Sequence, residues 1–475
     1  MKRPALICSI ISAVALVLLL ASCARQAGPP NIIYIMADDL GYGHLGVYGQ
    51  EKILTPHIDQ LAAEGMRFTQ AYAGSTVCAP SRSVLMTGLH GGHTPIRRNG
   101  GGASLEAGDV TIAEVLKQAG YATGGYGKWG LGTEGSPGHP NEQGFDEWVG
   151  YLHQVHAHFY YPYWLTENHG QLMLPENEGR QRGRYSHDVI FERALEFIRA
   201  NKKGPFFCYL PVTIPHVEIA APKEALAQYL GKWEETPGFQ EQRRGYLVSE
   251  TPKAEFAAMI SHLDRGVGRV VALVQELGIE DNTVIIFVSD NGAQSKHDVN
   301  EEFFKASGPL RGYKGSMYEG GLRVPLIVRW PGKVAAGAVS DHVTYFPDMM
   351  PTLAELAGVP TPDGIDGISF VPTILGEATV GRPQQKHEWL YWELVDQAGE
   401  PTSRGARQGD WKFVQNNMAQ PVELYNLAND LAEQTNLAAE HPELVESFEA
   451  FYANNRTPAR TWQDVAPVTV DDYVR

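Results

Sequence analysis

Five short apolar runs punctuate the chain, and polar residues follow most of them. Asn31-Ile32-Ile33-Tyr34-Ile35-Met36 runs into Asp38-Asp39, and a weaker run at 122–126 leads to Lys128. Residues 206–212 precede His216, residues 283–288 run into Asp290-Asn291, and Leu326-Ile327-Val328 precedes Trp330-Pro331-Gly332. Runs without alternation predict strands buried on both faces of a parallel sheet. Between them, apolar residues recur with a helical period over 57–65, 111–119, 187–200 and 254–277. Alternating strands and helices predict an α/β fold, a large mixed and mostly parallel sheet flanked by helices. Ligands of such open sheets bind beyond the carboxyl ends of the strands. Asp38, Asp39, Lys128, His216, Asp290 and Asn291 are therefore expected to converge on one edge.

After about residue 376 the pattern changes. Residues 387–394, 406–415 and 421–427 read as short strands joined by turns, and 442–452 as one amphipathic helix. Residues 31–375 are thus expected to form the main domain, and 376–475 a smaller α+β subdomain with an antiparallel sheet. The N-terminus carries Lys2 and Arg3, then an apolar stretch over 6–20 that is short for a membrane-spanning helix. Leu20-Ala21-Ser22-Cys23 resembles a bacterial lipobox. That resemblance implies a signal peptide at 1–22, lipidation of Cys23 by lipoprotein-processing machinery, and a linker at 23–30. The expected product is an exported lipoprotein, tied to a membrane by its lipid, in the periplasm or on the outer membrane.

Composition narrows the function. The chain has 475 residues, 43% hydrophobic and 20% charged, which is a globular profile. Its formal net charge of −16 argues against a general nucleic-acid binder. An anionic ligand would need a local cluster of cations. Of the four cysteines, Cys8 leaves with the signal peptide and Cys23 would carry lipid, so Cys78 and Cys208 remain in the folded part and no disulfide scaffold is expected. Cys208 sits in an apolar run and reads as a core thiol, whereas Cys78 lies in a polar stretch.

Asp38-Asp39 and Asp290-Asn291 offer only oxygen donors, which suit a hard divalent cation such as Ca²⁺ or Mg²⁺. Either pair alone also reads as a turn. The stretch Cys78-Ala79-Pro80-Ser81-Arg82, followed by Thr87-Gly88, is more specific. It resembles the signature of the type I sulfatases, in the alkaline phosphatase superfamily. In that signature a maturation enzyme oxidises the cysteine to formylglycine. Gly127-Lys128-Trp129-Gly130, Ile214-Pro215-His216, Ser289-Asp290-Asn291-Gly292 and Leu310-Arg311-Gly312-Tyr313-Lys314-Gly315 resemble further segments of the same family, so the likeness spans nearly the whole mature chain.

The resemblance implies a sulfatase acting on a sulfated carbohydrate, with galactose or N-acetylgalactosamine sulfates as expected substrates. It implies a formylglycine diol at residue 78 as nucleophile on a divalent cation, Ca²⁺ by family habit with Mg²⁺ as the alternative. The metal ligands would be Asp38, Asp39, residue 78, Asp290 and Asn291. Lys128 and Lys314 would hold sulfate oxygens, Arg82 would orient the diol, and His216 would protonate the leaving oxygen. Gly130 departs from the pattern, because many relatives carry His there. His153, His156, His158 and His297 are the expected substrate contacts. His187-Asp188 reads as a helix cap, and Trp389, Tyr391 and Trp392 read as core before sugar platform. Two alternatives stay open: a phosphonate monoester or phosphodiester hydrolase built on the same residue, and a catalytically dead glycan-binding lipoprotein.

Overall fold

A computed structural model describes residues 28–100, 102–236, 246–294, 303–462 and Tyr473. Cys23 and His297, both singled out by the sequence, lie outside these residues. The first 345 residues contribute β1 (Asn31–Ala37), β2 (Met66–Tyr72), β3 (Ala122–Lys128), β4 (Glu147–Tyr151), β5 (Trp164–Glu167), β6 (Gly170–Met173), β7 (Phe206–Pro211), β8 (Thr283–Ser289), β9 (Arg323–Arg329), β10 (Ala338–Ser340) and β11 (Thr344–Tyr345). They form one sheet in the order β10-β2-β9-β8-β1-β7-β3-β4-β5-β6, with β11 beside β2. The block β8-β1-β7-β3-β4 is parallel.

The apolar runs lack alternation because helices cover both faces. In β1, Ile33, Ile35 and Ala37 face α1 (Pro56–Ala63), α4 (Ser186–Asn201) and α5 (Pro252–Glu276). Ile32, Tyr34 and Met36 face α2 (Cys78–Thr87), α3 (Ile112–Lys117) and α6 (Met349–Ala357). Each face closes a separate apolar core, and hydrophobic burial on both sides holds the sheet.

Two strand expectations need correction. The run at 326–328 does form a strand, but β9 is antiparallel to both β8 and β2. A buried strand has the same composition in either direction, so direction is set by how the chain returns. The expected single strand at 406–415 is two, β13 (Pro401–Gln408) and β14 (Trp411–Gln415), with Gln408 paired to Trp411 across a two-residue turn. Gly409 takes φ +56° there, a conformation glycine adopts without steric cost. With β12 (Leu390–Val395) and β15 (Glu423–Asn426) these strands make a four-stranded antiparallel sheet backed by α7 (Pro442–Asn454). Tyr391 and Trp392 are buried, and Trp389 stacks on Phe451, so these aromatics are core.

The small sheet is bolted to the large one by a buried charge network. Glu319 Oε1 receives Lys412 Nζ of β14 at 2.7 Å, and Oε2 receives Arg323 Nε and the Tyr72 hydroxyl, each at 2.7 Å. The Glu319 amide donates to Glu433 at 2.7 Å, and Arg407 of β13 donates to the Tyr72 hydroxyl at 2.5 Å. Glu319 and Lys412 are wholly buried. Lys412→Ala would strand Glu319 beside a void, and removing one partner of a buried pair costs about 3–5 kcal/mol. Urea unfolding should show that loss; a change under about 1 kcal/mol, the scale of a surface pair, would rule the network out as the bolt.

Candidate active site

The main chain carries the strands' pairing beyond their ends. Asp38 N donates to Ile214 O at 3.1 Å, and Asp290 N donates to Ala37 O at 3.0 Å. Asp38, Asp39, Asp290, Asn291 and His216 are thereby fixed on one edge. Lys128 closes β3 on the same edge. Cys78 opens α2, at the positive end of the helix dipole. The segment bearing Lys314 is pinned on two sides, by Lys314 N to Ala293 O and Gly315 N to Thr76 O, both 2.8 Å.

The side chains form one buried cluster. The Cys78 thiol lies 3.4 Å from Asp38 Oδ1 and 3.9 Å from Asp39 Oδ1. Lys314 Nζ lies 3.2 Å from the same sulfur and 2.8 Å from Asp39 Oδ2. Lys128 Nζ holds Asp38 Oδ2 at 2.7 Å. Asn291 Nδ2 donates to Asp39 Oδ1 at 2.7 Å, and the Asp39 amide donates to Asp290 Oδ1 at 3.1 Å. His216 Nε2 stands 3.5 Å from Asp39 Oδ2, and its Nδ1 donates to Val217 O at 2.8 Å. Asp39 adopts φ +65°, a sparsely populated region that persists where surroundings dictate it.

Arg82 has a defined seat. Its Nε and Nη2 donate to Asp290 Oδ2 at 3.1 and 2.7 Å, and its Nη1 donates to Lys128 O at 2.5 Å. The guanidinium therefore ties the end of β8 to the end of β3, and its Nη2 also lies 3.7 Å from Asp38 Oδ2. Ser81, next in sequence, donates to Asp290 O at 2.5 Å and accepts from Gly74 N. Sequence reasoning assigned Ser81 no role, since a serine inside the motif carries no signal of its own.

Three carboxylates face three cations in this cluster. Burial pushes the Asp38 carboxyl up, but Lys128, His216 and Arg82 more than reverse that and hold it well below the carboxylate range. Burial and the neighbouring Asp38 push Asp290 up to about 6. Burial, reinforced by Asp38, pushes the Cys78 thiol to about 12, so an unmodified thiol is no nucleophile at neutral pH. Burial and Lys314 lower His216 to about 4.

A divalent cation fits this donor set. Asp38, Asp39, Cys78 and His216 already gather within ligand distance of one another. Asn291 Oδ1 is buried and lacks a hydrogen-bond partner, which makes it a carbonyl awaiting a cation. Carboxylate and amide oxygens are donors for a hard ion.

The expected substrate histidines divide. His158 stacks on His216 with centroids 4.5 Å apart, and its Nδ1 meets the Tyr246 hydroxyl at 2.5 Å, so it borders the cluster. His156 instead bonds Trp164 O through Nε2 at 3.0 Å and stacks on Tyr473 at 4.1 Å. His153 accepts from Val155 N and also lies against Tyr473. Aromatic packing occupies these two rings. His187-Asp188 lies in the first turn of α4, where Tyr185 occupies the cap position without a side-chain hydrogen bond and Asp188 pairs with His262.

At Gly130, φ is +79°, and a Cβ would stand 2.1 Å from Gln154 Nε2. The Gln154 amide fills the place a side chain at 130 would need, and Nε2 is buried without a partner. The sequence marked Gly130 as a departure but could not name what lies against it.

A family model described as Sulfatase matches residues 30–359. The chain belongs to the sulfatase family. A second model, described as N-sulphoglucosamine sulphohydrolase, C-terminal, matches residues 313–450 of this sulfatase, spanning both Lys314 and the small sheet. It is 32% identical over 398 residues to N-acetylgalactosamine-6-sulfatase of Rattus norvegicus, covering 77% of this chain and 69% of that protein. It is 30% identical over 513 residues to N-acetylgalactosamine-6-O-sulfatase of Bacteroides thetaiotaomicron, covering 89% and 92%. The crystal structure of Ps i-CgsB in complex with k-i-k-neocarrahexaose superposes with a TM-score of 0.75 at 29% identity, covering 92% of this chain and 95% of that one. The family's reaction is hydrolysis of sulfuric esters, and formylglycine with a divalent metal is general to it.

Gly130→Ala should destabilise this sulfatase by about 1–3 kcal/mol, through the forced left-handed backbone and the clash with Gln154. A chemical denaturation curve measures it. Wild-type stability in the variant would mean the glycine is dispensable.

Proposed function

We propose that this sulfatase removes sulfate from a galactose- or N-acetylgalactosamine-type saccharide, with Ca²⁺ in its site and formylglycine at residue 78. The observation that carries the reading is the single buried cluster in which residue 78 meets Asp38, Asp39 and Lys314. Substrate class is supported by the relatives named for N-acetylgalactosamine 6-sulfate and by the likeness to a protein crystallised with a neocarrahexaose. These relatives favour sulfate over phosphorus esters.

The Cys78 sulfur marks the position of an oxygen in the matured residue. There formylglycine would supply a geminal diol as the nucleophile toward sulfur. Asp38, Asp39, Asp290 and Asn291 would hold the cation, which would supply positive charge toward the sulfate oxygens. The remaining work falls to the chain. Lys314, against residue 78, and the amino end of α2 meet the charge that develops on the transferring group. Lys128 keeps Asp38 ionised, and Arg82 keeps Asp290 ionised and oriented. His216 already commits its Nδ1 hydrogen to Val217 O, so Nε2 faces the site. It must take up a second proton to act as acid. Burial opposes that protonation, and an incoming sulfate anion favours it.

The leader-like residues 1–22 and Cys23 support export as a lipoprotein to the periplasm or outer membrane, with maturation by a formylglycine-generating enzyme. Mass spectrometry of the processed N-terminus and of the residue-78 peptide reads out both.

Cys78→Ala should abolish sulfate release from N-acetylgalactosamine 6-sulfate while circular dichroism stays unchanged, and EDTA should reversibly do the same to the matured wild type. Turnover surviving either treatment would refute the nucleophile or the metal. His216→Asn should slow alkyl and sugar sulfates roughly 10²–10⁴-fold, the range for loss of a general acid. Aryl sulfates, whose phenolate leaves unaided, should be slowed far less. Equal slowing of both would remove the acid role.

A further inference from the structure

His158 and His216 come from separate segments of chain, yet their rings stack at 4.5 Å beside the acidic cluster. Burial, then His216, Lys128 and Lys314, hold the His158 pKa well below that of an ordinary histidine, so the ring is neutral, with one N–H donor and one acceptor. Two side chains that the mechanism leaves unused decide which nitrogen is which. The Tyr246 hydroxyl meets His158 Nδ1 at 2.5 Å. A phenol is a stronger acid than a neutral imidazole N–H, and a bare imidazole nitrogen is the better acceptor, so the hydroxyl donates and the ring hydrogen sits on Nε2. Tyr246 is seated in turn by Glu218, which is 2% exposed. Glu218 Oε2 accepts from Leu247 N, next to Tyr246, at 2.8 Å, and Glu218 N donates to His158 O at 2.9 Å. Burial pushes this carboxyl up to about 7, and main-chain bonds from Leu247 and Tyr160 pull against it. The Phe159 ring packs on Tyr246 at 5.8 Å. Segments 158–160, 216–218 and 246–247 thus meet at one buried carboxyl.

We propose, resting on the saccharide assignment above, that Tyr246, seated by Glu218, is a positioning residue that fixes His158 with its hydrogen on Nε2, and that His158 donates this hydrogen to an oxygen of the sugar that bears the sulfate. Nδ1 is spent on Tyr246, whereas Nε2 has no hydrogen-bond partner among the described residues and is open to solvent. Asp38, Lys128 and Lys314 all act on the His158 ring, so it shares the field of the cluster around residue 78. His216 faces the ester oxygen as its proton donor. The atoms one or two bonds beyond that oxygen belong to the sugar, and they fall beside the ring stacked on His216. A neutral donor suits an uncharged hydroxyl or ring oxygen there, where a further cation would compete for the sulfate. Tyr246 and Glu218 carry no local mark of this role, because each acts on a ring supplied by a distant segment.

The test pairs a spectroscopic readout with kinetics. In the full-length protein labelled with ¹⁵N-histidine, the His158 signals, assigned by their loss in His158→Gln, should show Nε2 protonated and Nδ1 bare, and Tyr246→Phe should shift the Nδ1 signal. The opposite tautomer in the wild type overturns the proposal. In the matured enzyme, Tyr246→Phe should raise KM for N-acetylgalactosamine 6-sulfate roughly three- to tenfold, the worth of a neutral hydrogen bond, with a smaller change in kcat. Phenyl sulfate, which offers no sugar oxygen, should lose less. Glu218→Gln keeps an oxygen that accepts from Leu247 N and should retain most of the wild-type KM, while Glu218→Ala should behave like Tyr246→Phe. A wild-type KM in Tyr246→Phe, or equal losses on the sugar and phenyl esters, overturns the proposal. A wild type that turns over phenyl sulfate but no sugar sulfate defeats the saccharide assignment instead, and the tautomer measurement, which needs no turnover, tells the two failures apart.

Discussion

The structure turns on charge balance among side chains buried from bulk solvent. Asp38, Asp39 and Asp290 are all at most 1% exposed, and so are Arg82 and Lys128. Carboxylates brought together out of water repel one another and neutralise by taking up protons unless cations sit among them. Arg82, Lys128 and Lys314 supply those cations from three separate segments of chain. A divalent cation added to a set already balanced leaves surplus positive charge, which is what an incoming sulfate ester requires. The same arithmetic explains why a protein of net charge −16 can seat an anion.

Holding that balance demands rigid placement, and the fold supplies it in two ways. The parallel block of the sheet continues its main-chain bonding past Ala37 and Ser289, so the acidic residues are locked before their side chains are considered. The small sheet supplies the rest. Lys412 and Glu433 grip Glu319, while Arg311 donates to Glu433 O at 2.5 Å. The stretch between Arg311 and Glu319 carries Lys314. The second sheet is thus part of what fixes the Lys314 cation beside residue 78.

Much of this was legible from residue order. Apolar runs ending in acid predicted the strand ends, and the oxygen-only pairs predicted a hard-cation site. The Cys-x-Pro-x-Arg stretch predicted the family and its reaction. These signals are local: a strand buried on two faces must be apolar, and a helix start must supply particular side chains at fixed spacing. What stayed hidden depends on neighbours distant in sequence. The reversed direction of β9, the turn at Gly409-Asp410, the seat of Arg82 on Asp290 and the packing of His153 and His156 against Tyr473 have no local marker.

Sequence alone therefore determined the chemistry available to this protein, its layered α/β scaffold and the residues able to carry the reaction. Tertiary structure decided which of them share one buried space. It brought Lys314, 236 positions from Cys78, to within 3.2 Å of the sulfur. It set the Gln154 amide where Gly130 leaves room. Pairing between segments so far apart depends on shape and desolvation across the whole core, and no short stretch of residues encodes either.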